Sequence, residues 1–242
     1  MWQAARMSTL PHLDNSWMFD LVSDDPRLRG AALARHEVAS DEYSEQWQRA
    51  HELDALIWTL RDDDREVPPG LLAESDQVGR ALREAGDGTL CGLVDRFAYG
   101  DADESAALAP YAVLFLTLEN RYPETWDTEL AAGSPWHLKK RVLDRFVRDG
   151  VPVGSRDMAT EAVIDAAYRL HRCEDRRYPL LARHLDSVAL REELAEAYDN
   201  EDVIVAARAG YLLWALENPA APVTLRSWRD WIVEDLTESL TT

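Results

Sequence analysis

Apolar residues recur at helical rather than strand spacing along nearly the whole chain, and no convincing run of alternating β-branched residues interrupts them. Tyr43, Trp47, Ala50, Leu53, Leu56, Ile57 and Leu60 form one stripe between Asp41 and Arg61. Leu138, Val142, Leu143, Phe146 and Val147 form a second, opened by Ser134 as N-cap with Pro135 in the first turn and closed by Gly150. Met158, Ala162, Val163, Ala166, Ala167 and Leu170 line a third, after Ser155. Leu225, Trp228, Trp231, Ile232 and Leu236 line a fourth, whose two tryptophans are read as core. A chain with this period throughout buries its stripes helix against helix, so the expected fold class is all-α.

Gly, Pro and Asp punctuate the pattern. Asp24–Pro26, Val67–Gly70, Gly86–Gly88, Tyr99–Asp101, Tyr122–Pro123, Gly133–Pro135, Gly150–Pro152 and Asn218–Pro219 read as turns or helix boundaries. They predict roughly a dozen helices, mostly of about ten to twenty residues, joined by short loops that set neighbours antiparallel. No low-complexity linker separates them. One all-α domain over 1–242 is expected, with a weak subdivision near 133–152, where an acidic stretch gives way to a basic helix.

That change of sign matters because the chain is strongly acidic, with 45 Asp and Glu against 26 Lys and Arg and a net charge of −19. Such a surface repels phosphate backbones and anionic lipid, so nucleic acid and membrane are not expected partners, whereas a basic protein is. The helix carrying Lys139, Lys140, Arg141, Arg145 and Arg148 is expected to pair with neighbouring acidic surface, of which residues 101–130 hold seven acids and Arg121 as the lone base.

The longest apolar run, Ala106–Leu118, is too short to span a bilayer and contains Pro110 and Thr117. No basic start followed by an apolar segment marks a leader over residues 1–10. Cys91 and Cys173 lie far apart, outside any CxxC spacing, and read as buried thiols of a reducing, cytoplasmic compartment.

Two segments share a character. Leu21–Leu33 places Ser23, Asp24, Asp25 and Pro26 ahead of a helix start rich in Arg and Ala, and Tyr198–Ala209 places Asp199, Asn200, Glu201 and Asp202 ahead of Val, Ile and Ala. Acidic turns complement a helix dipole, and small residues let helices approach closely. These segments resemble the second helix of a HEAT repeat and the turn before it, although the second lacks the proline. The resemblance covers about a quarter of the chain, and no repeat of fixed period is assignable between Glu37 and Gly154. It implies antiparallel hairpins stacked as a short HEAT-like α-solenoid, or else an irregular bundle, used as a protein-binding scaffold. It carries no catalytic residues.

Chemistry-bearing patterns are few. Asp62, Asp63 and Glu66 have the DDxxE spacing by which helical prenyl-diphosphate enzymes hold magnesium, yet Pro68 and Pro69 put the run at a helix C-terminus and no second metal-binding run follows. His171, Cys173, Glu174, Asp175, His184 and Asp186 have the types of a metal site, and helix-end polarity explains them as well. No HExxH, GxSxG, GxGxxG or P-loop pattern occurs.

The expected function is therefore a non-catalytic interaction module without a cofactor, of the immunity, antitoxin or regulatory kind, engaging a basic protein. Its partner-binding residues are expected at Glu196, Asp199, Asn200, Glu201 and Asp202, because three acids and an Asn in one turn exceed what a single helix start needs for capping. A helical metal-dependent enzyme using Asp62, Asp63 and Glu66, or the His171–Asp186 region, is the rival reading.

Overall fold

Proline and glycine set the helix ends in the computed structural model, which describes residues 15–129, 135–169 and 176–239, with the side chains of 127–129 and 235–239 left aside. Among the described residues every element is helical and none is a strand. A 3-10 helix, Ser16–Val22, leads into α1 (Pro26–Asp62), α2 (Pro69–Gly86), α3 (Leu90–Tyr99), α4 (Ala102–Arg121), α5 (Pro123–Glu129), α6 (Pro135–Asp149), α7 (Arg156–Tyr168), α8 (Arg177–Leu185), α9 (Val188–Tyr198), α10 (Val203–Glu217) and α11 (Leu225–Ser239). The helices form two compact units, residues 6–138 and residues from 139 onward, each with its own packing.

In the first unit α1 and α2 form a long antiparallel hairpin, tied by an ion pair from Arg49 to Glu74. At 37 residues α1 is far longer than the sequence pattern predicts. No glycine or proline falls between Gly30 and Pro68, so nothing stops the helix before the acidic run at 62–64. The start is capped by Asp25, whose carboxylate accepts from the Arg27 N–H at 2.9 Å, with Pro26 next in line. The expected stripe on α1 is only partly core. Tyr43, Leu53, Ile57 and Leu60 are buried, whereas Trp47 and Leu56 stand exposed, because α2 covers one face of α1 and those two side chains lie on its flanks.

The hairpin meets α3 at a glycine contact. A Cβ on Gly92 would sit 2.4 Å from the Gly86 Cα and carbonyl oxygen, so the end of α2 and the start of α3 touch backbone to backbone. His36 fills the angle behind this crossing. Its Nε2 accepts from the Leu90 N–H, and its Nδ1 lies 3.0 Å from the Ser40 hydroxyl. Arg96 of α3 ties the turns on both sides of its helix, pairing with Asp87 in the turn before α3 and reaching the Glu104 carboxylate of α4 at 2.6–2.8 Å. α4 is the central helix of this unit and is buried continuously from Leu108 to Asn120. It passes through Pro110 without a break. Its apolar length is matched to protein neighbours, and among the described residues no helix is long and apolar enough to cross a membrane. Trp126 of α5 is fully buried between Phe115 at 5.3 Å and Trp136 at 4.7 Å.

In the second unit α10 is the central helix, packed on α7, α8, α9 and α11. Gly210 permits this crowding: a Cβ there would come within 2.7 Å of the Tyr198 and Trp231 rings. Tyr211 stacks on Trp214 at 5.2 Å and meets Trp228 edge-on at 4.8 Å, while its hydroxyl lies 2.8 Å from Ser227 Oγ. Trp231 is buried and Trp228 half-buried, so the tryptophans of α11 serve as core. α6 begins at Pro135 and ends at Gly150, which takes a positive φ of 83° as a helix stop. Its Arg145 and Arg148 both reach Asp149 on the same helix, at 2.6 and 2.7 Å. Lys139 is buried, with its ammonium 5.2 Å from the centre of the Tyr178 ring.

Candidate interaction surface

The hairpin of α9 and α10 carries the residues that the sequence singles out. α9 starts where the Ser187 hydroxyl accepts from the Leu190 N–H at 3.2 Å, and it buries Leu190, Leu194 and Ala197 on one face. Its last turn closes through the Asp199 and Asn200 amides, which donate to the Ala195 and Ala197 carbonyls at 3.3 Å. The Asn200 side-chain oxygen then accepts from the Asp202 N–H at 2.9 Å, an Asx-type turn. Asp202 in turn caps α10, accepting from the Ile204 N–H at 2.8 Å and the Val205 N–H at 3.5 Å. Two of the five residues thus build the turn.

The other three, Glu196, Asp199 and Glu201, are exposed and form no ion pair among the described residues. Beside them stand aliphatic side chains that the core does not use: Val203 is 77% exposed and Ile204 is 53% exposed. Val205, one position on, is buried and begins the core face of α10. The α10 start therefore offers carboxylates and β-branched apolar groups on one small rigid surface. The exposed valine and isoleucine carry no signal in the sequence that separates them from buried residues such as Val205, so only the fold marks them.

The opposite end of the hairpin is closed by arginines. Arg183 donates to the carbonyls of Ala215, Asn218 and Ala221 at 2.8–3.0 Å, covering the C-terminus of α10. Burial lowers its pKa, with Tyr211 opposing. Arg191 forks onto Asp186 at 2.7 and 2.9 Å, and this hydrogen bonding holds the Asp186 carboxyl below the usual range.

The metal-type runs are placed as follows. α1 ends at Asp62, Asp63 caps it, and Asp64 turns the chain with a φ of 53°, so the helical spacing that would put Asp62 and Glu66 on one face is not realised. All three acids of that run are exposed. His171, Cys173, Glu174 and Asp175 lie outside the described residues. His184 is exposed, its carbonyl accepting from Arg156, and Asp186 is engaged by Arg191. Among the described residues no group of three or more His, Cys, Asp or Glu is placed to hold a metal ion.

Among the described residues, a concavity of about 20 Å³ between Arg169, Tyr178, Arg208, Tyr211 and Trp228 has room for a single water. A further one, about 260 Å³, is an open trough between α1 and α2, floored by Ala39, Ala81 and Ala85 and edged by Glu42 and Glu84. Cys91 is a buried thiol whose pKa is pushed up to about 12 by burial and by Asp95. That makes it a poor nucleophile.

Compared with known protein families, curated proteins and solved structures, the chain matches none.

Proposed function

We propose that this chain is a non-catalytic, HEAT-like interaction module that binds a basic protein through the start of α10, in the manner of an immunity, antitoxin or regulatory protein. One observation carries the reading: Glu196, Asp199 and Glu201 stand exposed next to exposed Val203 and Ile204, on a turn held rigid by Asn200 and Asp202. A carboxylate rim around a small apolar centre is what a cationic protein surface recognises, with charge supplying steering and apolar contact supplying residence time. The net charge of −19 extends the attraction beyond the turn.

The test begins with affinity purification of a partner, followed by association rates for the native chain and Asp199→Lys/Glu201→Lys at low and moderate salt. A slower rate and a flatter salt dependence in the variant are expected. Equal rates in both proteins refute the site.

A further inference from the structure

Among the described residues, one face of α1 is used by neither the core nor the proposed α10 site. Trp47, His51, Asp54 and Trp58 follow at i, i+4, i+7 and i+11, which brings all four to one side of a helix. Trp58 is 69% exposed and Trp47 is 37% exposed. The Trp47 and His51 rings stack at 5.3 Å and 5°. The two tryptophans are about 16 Å apart along the axis, at about 1.5 Å per residue.

Charge along α1 as a whole is acidic in balance, although Arg61 stands at i+3 from Trp58. Residues 37–62 hold seven acids against Arg49 and Arg61, and Arg49 is engaged by Glu52 and Glu74. An indole face attracts cations, and carboxylates beside it add to that attraction. A second copy of this chain would bring the same acids against each other.

We infer that the outer face of α1, centred on Trp47, His51 and Trp58, docks a basic helical segment of a protein partner, with arginine or lysine side chains lying over the indoles. This surface lies in the first unit, so it adds to the α10 site and shares with that reading the basic character of the partner.

The probe is a capped, alanine-based helical peptide with arginine at every fourth position, beside a matched peptide carrying glutamine instead. Titration of the full chain is followed through the indole N–H resonances, with Trp47 and Trp58 assigned from Trp47→Phe and Trp58→Phe variants. The arginine peptide is expected to move both resonances. Trp58→Ala should weaken its affinity about threefold, and Trp47→Ala/Trp58→Ala about tenfold. The glutamine peptide should move neither resonance. Asp199→Lys/Glu201→Lys should leave these shifts in place, so failure at α10 and failure here are read separately. Unmoved Trp47 and Trp58 resonances, unchanged affinity in the double variant with helical content retained, or equal binding of the glutamine peptide would overturn the proposal. A concentration-dependent dimer in sedimentation that Trp58→Ala abolishes would overturn it in favour of a second copy.

Discussion

The Nε2 of His36 accepts a hydrogen bond from the Leu90 N–H at 3.3 Å, linking α1 to the first residue of α3 across 54 positions of sequence. An accepting Nε2 leaves the ring proton on Nδ1, which donates to Ser40 Oγ at 3.0 Å. The ring is 1% exposed, and burial lowers its pKa from 6.5 to about 4.

Because the folded pKa lies below the unfolded one, the unfolded chain takes up the proton first as pH falls. Stability from this group is complete above about pH 6.5 and is lost between about pH 6.5 and 4, by roughly 3 kcal/mol. Urea unfolding at steps across that range should show the loss. His36→Gln, which keeps an acceptor for Leu90 and cannot titrate, should flatten the slope.

Gly92→Ala should destabilise the first unit. The added Cβ meets Gly86 backbone at 2.4 Å, and backbone cannot swing aside as a side-chain end can. A loss of about 1–3 kcal/mol is expected in chemical unfolding. Gly30→Ala is the opposite case: it is helical, with nothing within 4 Å of the new Cβ, and should stabilise by about 0.5–1 kcal/mol.

Asp202→Ala should cost about 1 kcal/mol through loss of the α10 cap. Glu201→Ala, exposed and one residue earlier, should stay within about 0.5 kcal/mol of the native chain. Thermal unfolding of the pair separates the turn-building residue from the one free to bind.

In a Cys173→Ser background, Cys91 should resist Ellman's reagent in the folded chain at pH 8 and react fully in urea. Burial both blocks access and holds the thiol protonated, with a pKa of about 12. Rapid reaction without denaturant would show that the α3 packing opens readily.

The α-helical class, the breaks at Pro26, Pro69, Gly100, Pro135 and Gly150, and the core role of Trp231 were legible in sequence, because spacing and backbone-restricted residues act locally. The length of α1 was underestimated, although the missing glycine and proline between Gly30 and Pro68 announced it. The partner site was legible in part: charge marked the 199–202 turn, but the division between capping Asn200 and Asp202 and exposed Glu201 needed coordinates.

Sequence by itself determined the helical period, the helix ends and the negative sign of the surface, since these follow from side-chain spacing, φ preferences and composition. Only tertiary structure decided which members of a stripe are covered. Trp47, Ile57 and Trp58 are all large apolar residues of α1, yet Ile57 is buried while both tryptophans face out. A helix has more than one side on which an apolar residue can lie, and the neighbour that packs against it, here α2, selects the buried one. His36 shows the same rule for a polar group: burial in the folded unit keeps it neutral, and the Leu90 amide of α3 supplies the partner for its Nε2.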